Sequence, residues 1–525
     1  MPAPAPVSMR SIAFPPADSA NAAHLLNRLA FGPRPGDVAH LLAVGIGGWL
    51  DEQLYPDRIR DTAGEAALQP HAIALRSPRD LFAEYGPPPG GARSDTVAHR
   101  QMAEANRDVA GHVMMSALAR HVASDRQLLE VMTDFWTNHF NVFLGKAADR
   151  WLTADFVEHA IRPHALGKFE DLLVATAQHP AMLIYLDNAQ SVAPGARRPA
   201  ARPFAFGPMR GGAMFPRPAF RPPVPGGTET GLNENYAREL MELHTLGVEG
   251  GYSQQDVINV ARILTGWGVT RPGPMGMGRF GFEFHDWAHD YGAKVVLGVP
   301  FPAGHGLDEG RRLLHLLAVN PATARHLAHK LCARFVADTP PDGCVDAAVV
   351  AYQRTDGDIR TVLRAIVATL DFWAPETRTA RFKTPLEFVA SAVRVLGAEP
   401  DTTVRLVHAL QQLGEAPFMH LAPDGYPEAA AEWMNSGAIL TRMNIVLALA
   451  SGRLPGVVVD LDAVVPLTSD YGELVRRVNA AILGGQGSGH TLEVIRQQID
   501  DLPNAVSART MAVALALGSP DFQKE

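Results

Sequence analysis

The sequence predicts a predominantly all-α protein: one large multi-helix unit with a small β-hairpin near 280–298 and a long irregular insertion near 190–231. Three observations carry this. Apolar residues recur at helical spacing through most of the chain, alternation with period two is confined to Phe280, Phe282 and Phe284, and much of the proline excess falls between 194 and 225. With 525 residues, 47% of them hydrophobic and 19% charged, the chain can bury a sizeable core. Length alone would allow about two to four domains.

The helical spacing runs through Leu25, Leu26 and Leu29; Leu128, Leu129, Met132 and Phe135; Leu172 and Leu173; Val257, Val260, Ala261 and Leu264; Leu313 to Leu317; and Leu363, Ile366 and Val367. Ser253 with Asp256 three residues on reads as an N-cap, and Gly266 as a stop, so 253–265 is a helix. Phe280 to Phe284 is answered by Lys294-Val295-Val296-Leu297 after a turn-rich stretch, which reads as the hairpin. Gly86 to Asp95, with three consecutive prolines, reads as a surface linker between helices. The insertion carries nine prolines between Pro194 and Pro225, six arginines, and no acid before Glu229; its prolines forbid a regular ladder.

Lys and Arg number 47 against 55 Asp and Glu, a net charge of -8, and no block of like charges marks a nucleic-acid arm, so nucleic acid is not an expected partner. No stretch approaches the ~20 apolar residues that span a bilayer. The start, Met-Pro-Ala-Pro-Ala-Pro, does not read as a secretory signal, so a cytoplasmic location is expected. Cys332 lies in an apolar helical run and Cys344 in a Pro-Asp-Gly turn context, which reads as a buried small hydrophobe and an unpaired thiol.

Gly484 to Thr491 fits a phosphate-loop spacing with His490 in the lysine position, but the preceding Leu474–Leu483 run is helical and an interhelix loop explains the glycines. Neither His-Glu-x-x-His nor Gly-x-Ser-x-Gly occurs. The richest polar run is Asn233 to Gly247. On a helix it gathers Asn235, Arg238, Glu239 and Glu242 on one stripe and Tyr236, Leu240 and Leu243 on the packed side, with His244 on the apolar arc as a hydrogen-bonded core histidine. Carboxylates three apart can share a divalent cation, or divide acid and base roles when burial separates them. His285-Asp-Trp-Ala-His289-Asp290, followed by Lys294, offers nitrogen and oxygen ligands at a turn. Asp134-Phe-Trp-Thr-Asn-His139-Phe-Asn141 sets Trp136, His139 and Phe140 together, as an aromatic core with a polar partner would.

Asn-Arg-Leu-Ala-Phe-Gly-Pro (27–33), Asp-Phe-Trp-Thr-Asn-His-Phe (134–140), Tyr-Leu-Asp-Asn (185–188), the 233–247 run, Leu-Thr-Gly-Trp (264–267) and His-Asp-x-x-x-Lys (289–294) together resemble a large bacterial family, domain of unknown function family 1800. Lys383-Thr-Pro-Leu-Glu387, Gly425-Tyr-Pro427, Trp433, Arg442 and Ser-Pro-Asp-Phe-Gln (519–523) resemble its C-terminal half. The resemblance implies a single helical domain over 1–525 and transfers no reaction. It also implies a neighbourhood with proteins related to phosphatases and sulfatases, and many exported relatives. The chain departs from the family in showing no export signal and in the wide separation of the Tyr-Leu-Asp-Asn and Asn-Glu-Asn motifs.

Two functions are expected. One is a hydrolase-like enzyme whose cleft gathers His139, Asn235, Glu239, Glu242, His289 and Asp290, around a divalent metal in one form. Glu242 and His289 would then be ligands or base, with Arg238 and Lys294 stabilising developing negative charge. The other is a non-catalytic binding or maturation partner of a phosphatase- or sulfatase-like protein, with the insertion as contact arm.

Overall fold

The computed structural model describes residues 14–86, 96–196, 231–272 and 278–525. The expected linker beyond Gly86, to Asp95, and most of the 190–231 insertion lie outside these residues. The described chain is a succession of α-helices interrupted by three two-stranded sheets, as the periodicity predicts. One continuous apolar core runs from Ala22 to Phe522. Among the described residues no helix is long and apolar enough to cross a membrane.

Local signals place the helix ends. Ser253 and Asp256 form a reciprocal capping box at the start of Gln254–Ile263, and Thr384 and Glu387 form another at Pro385–Val395. Each satisfies backbone N–H groups that the first turn leaves without partners. The glycine run at 484–489 connects Tyr471–Ile482 to Gly489–Asp500, with Ser488 capping the second helix. A strand before that run, which a phosphate loop needs, is absent among the described residues there.

The strands differ from expectation in their partners. Gly281–Phe284 pairs with Trp267–Thr270, and Lys294–Val296 pairs with Val299–Phe301. Leu297 and Gly298 both have positive φ, 51° and 77°. Two such residues make the type I′ turn that closes a hairpin at once, so the 294–296 strand is satisfied locally and never reaches 280–284.

The expected unpaired cysteines are instead joined: Cys332 and Cys344 form a disulfide, and both are fully buried. Pro321–Phe335 and Asp342–Arg354 form a helical hairpin reversed through Pro340 and Pro341. Cys332 lies three residues before the end of the first helix and Cys344 is the third residue of the second, so the reversal sets them opposite each other, with Cα atoms 6.2 Å apart.

Helices Thr96–Ala123 and Gln127–His139, the π-helical turn Phe156–Ile161, helix Pro385–Val395 and the loop 415–428 surround one internal cleft. Two backbone features shape the loop. Gly425 has φ 78°, and a Cβ there would overlap the backbone carbonyl of Asn138, so only glycine lets the loop close on helix Gln127–His139. Phe418 is held in the left-handed region at φ 63°, a conformation costing about 1–3 kcal/mol, and its carbonyl accepts the Leu144 N–H at 3.0 Å.

Candidate functional site

The 233–247 run forms helix Glu234–Glu242, with Tyr236, Ala237, Leu240 and Met241 buried and the polar stripe on the other side. Asn235 and Glu239 line a shallow surface pocket with Phe143, Lys146 and Tyr185. Burial, and then the charges of Glu242 and Asp424, raise the Glu239 carboxyl above the ordinary carboxylate range. Glu242 accepts a hydrogen bond from Tyr252 Oη at 3.1 Å, and Arg238 donates to Gln254 at 2.8 Å.

His289, Asp290 and Lys294 come together in a second place. His289 Nδ1 lies 2.8 Å from the Thr265 carbonyl and Nε2 3.0 Å from the His305 carbonyl, with Glu309 at 3.3 Å. Both nitrogens face backbone carbonyls, so the ring is held in place by the fold on both sides. Lys294 is buried, with Glu309 at 2.8 Å and the Asp290 carbonyl at 2.5 Å, while Asp290 pairs with Arg262 at 2.8 Å. These residues tie the 294–301 hairpin to helices Gln254–Ile263 and Leu307–Ala318.

His139 occupies a third place, buried among Trp136, Phe140, His244 and His326. Its Nε2 lies 3.1 Å from the His244 carbonyl and its Nδ1 3.2 Å from Lys330 Nζ. Burial, reinforced by Lys330, holds all three imidazoles neutral: His139 well below its ordinary range, His244 near 3 and His326 near 4. His244 is in the core as expected, but its Nε2 has no partner among the described residues.

A further polar concavity among the described residues is none of these three. It encloses about 940 Å³, open solvent included, and is lined from two distant parts of the chain: Arg120, His121, Asp134, Thr137, Asn138, Asn141, Glu158 and Arg162 on one side, and Arg334, Thr384, Glu387, Glu415, Tyr426 and Glu428 on the other. Asn138 joins the walls: its Nδ2 donates to the Tyr426 carbonyl at 2.8 Å and its Oδ1 accepts the Tyr426 N–H at 2.6 Å.

Two carboxyls dominate the cleft. Asp134 faces it from helix Gln127–His139, and no hydrogen bond among the described residues engages its carboxyl group. Burial pushes it up to about 7, against the opposing pull of Arg334. Glu415 is buried and accepts the Leu386 N–H at 2.7 Å. Burial raises it well above the carboxylate range, and the nearby Asp134 charge adds to the rise. His121 is buried with Nδ1 unpartnered, and burial holds it neutral, near 4. The cations of the walls are all engaged: Arg120 with Glu158 at 2.9 Å, Arg162 with Glu130 at 2.7 Å and Arg334 with Glu387 at 2.6 Å.

Asp134 lies in the same run as His139, one turn or so before it, but the aromatic spacing of that run marks only a core and not this cleft. Thr384, Glu387 and Tyr426 lie in the C-terminal motifs, which carried no chemistry on their own. Glu415 and His121 had no signal, because only the closure of 415–428 over helix Gln127–His139 makes their surroundings unusual.

Among the described residues no three His, Cys, Asp or Glu side chains form a group that could hold a metal ion. The architecture defines a predominantly helical protein with a cleft lined by carboxyls. The chain belongs to the family described as Protein of unknown function (DUF1800), whose model matches residues 24–524. No curated protein and no solved structure gives a significant match.

Proposed function

We propose that the protein is a hydrolase-like enzyme that works by general acid–base catalysis in the Asp134/Glu415 cleft. One observation carries this reading: two carboxyls, both raised above the usual range by burial, line a single polar cleft. A group near 7 is present in both forms at neutral pH, which suits it to take a proton from an attacking water. Glu415, protonated and oriented by the Leu386 N–H, is suited to donate one to the leaving group. The wall arginines are already neutralised by carboxylates, which favours a neutral polar substrate over an anion. Asn141 and Thr137 supply further polar lining. No metal is required by this arrangement.

Titration of carboxyl carbons by NMR tests it. A resonance titrating near pH 7 that vanishes in Asp134→Asn supports the assignment, together with a loss of about 100-fold or more in hydrolysis of chromogenic esters or glycosides in Asp134→Asn and Glu415→Gln. If every aspartate titrates below pH 5, the reading fails.

The alternative function, a partner of a phosphatase- or sulfatase-like protein, rested on the insertion as contact arm, and most of that segment lies outside the described residues. The buried Cys332–Cys344 bridge favours an oxidising compartment over the cytoplasm, because reducing compartments keep most thiols free. Thiol counting on protein drawn rapidly from its native cells checks this: two free thiols would argue for the cytoplasm.

A further inference from the structure

Lys330 is a cation in unusual company. It lies on helix Pro321–Phe335, one turn before Arg334, and is partly buried. Lys294 and Lys146 each have a carboxylate within ion-pair distance, whereas none of the ion pairs among the described residues includes Lys330. Its hydrogen-bond partner is the His139 ring, Nζ to Nδ1, at 3.2 Å. The nearest acids are committed elsewhere: Glu428 accepts from Arg381 at 3.1 Å and Asp424 pairs with His420 at 3.1 Å.

The tautomer of His139 follows from its second contact. The His244 carbonyl is an acceptor, so Nε2 carries the hydrogen, and Nδ1 presents its lone pair to Lys330. His326 is held in the same way, with Nε2 on the Leu243 carbonyl at 3.2 Å. Lys330 therefore faces neutral imidazoles instead of a carboxylate, and one of them offers a lone pair directly to its nitrogen. A lysine held by a carboxylate is locked as an ammonium ion with no lone pair for chemistry. One held by a neutral base is suited to shed a proton and become a nucleophile. Burial, only partly opposed by Glu428 and Asp424, lowers the affinity of this amine for its proton in the same direction.

We propose that Lys330 is a nucleophilic amine that condenses with the carbonyl carbon of an aldehyde or ketone ligand, with His139 Nδ1 as its proton relay. The amine lone pair forms the C–N bond while the C=O π pair moves to oxygen. The first amine hydrogen passes through His139 Nδ1 to that oxygen. The C–O bond then breaks as the second hydrogen follows, so both amine hydrogens leave in one water and an imine remains on Lys330. No oxidant or further reactant is needed. This site is separate from the Asp134/Glu415 cleft and does not depend on the function proposed for it.

The test uses the full chain with limiting propanal and cyanoborohydride at pH 7, and peptide mass spectrometry to compare Lys330 with the half-exposed Lys168 of the same molecule. Lys330 is expected to be alkylated at least ten-fold faster, and His139→Gln to abolish that advantage with Lys168 unchanged. Because His139 is buried, the wild-type pH profile provides a second readout that needs no variant. Labelling of Lys330 should level off at a lower pH than that of Lys168. Equal or slower labelling of Lys330, or two parallel pH profiles, overturns the proposal.

Discussion

Replacing Asp134 by Asn should make the protein more stable and less active at the same time. Asn keeps the shape of the protonated acid but cannot ionise. In the unfolded chain the Asp134 carboxyl loses its proton near 3.8, whereas the folded cleft holds it to about 7. Between those pH values the unfolded state binds fewer protons than the native state, so the wild type loses stability as pH rises and levels off above about 7. That interval corresponds to ~4 kcal/mol at ~1.36 kcal/mol per pH unit. Asp134→Asn removes this loss. Urea unfolding of both proteins at pH 4, 5.5, 7 and 8.5 should show the variant gaining on the wild type up to pH 7 by as much as ~4 kcal/mol, with no further gain at 8.5. The gain marks a group kept for function at the expense of stability. A stability difference that does not change with pH would refute the burial argument, whatever happened to activity.

The buried histidines give the opposite slope. His24 and His244 refuse a proton until about pH 3 because burial excludes the charged form, while the unfolded chain accepts one near 6.5, so their contribution is lost progressively as pH falls from about 6.5 towards 3; His244→Phe should flatten the fall in urea midpoint between pH 7 and 5. Lys294→Met strands the Glu309 carboxylate in the core and should cost about 3–5 kcal/mol in urea unfolding, whereas the double variant Lys294→Met/Glu309→Leu should recover most of it. Removing the Cys332–Cys344 bridge, whose ends are 12 apart in sequence, should cost about 3 kcal/mol, and alkylation of the native protein should label no cysteine until it is unfolded and reduced.

The fold was legible because helices announce themselves locally. The Ser253/Asp256 cap, the apolar spacing of 128–135 and the helical run before Gly484 each depend on neighbours a few residues away. What was not legible depends on meetings between distant segments. The disulfide needed the turn through Pro340 and Pro341, and the strand partners needed the tight turn at Leu297-Gly298. The expected site residues fall into three separate surroundings, and nothing in their own spacing tells Lys294, bound to Glu309, from a free cation. Burial is a property of the whole chain, so the cleft carboxyls it perturbs, Asp134 and Glu415, carry no mark in the residues beside them.

The walls of the cleft belong to opposite ends of the synthesis order. Asp134 emerges early, and Glu415 together with the Gly425 loop is made some 280 residues later. With that loop lifted from Asn138, Asp134 should lose part of the burial that raises its carboxyl. The raised acid therefore depends on contact between segments far apart in the chain, and any truncation or opening that lifts 415–428 away should weaken it. A shortened chain could fold much of its helical core and still contain no working acid, which makes the titration of one side chain a sensitive measure of whether the entire molecule is assembled.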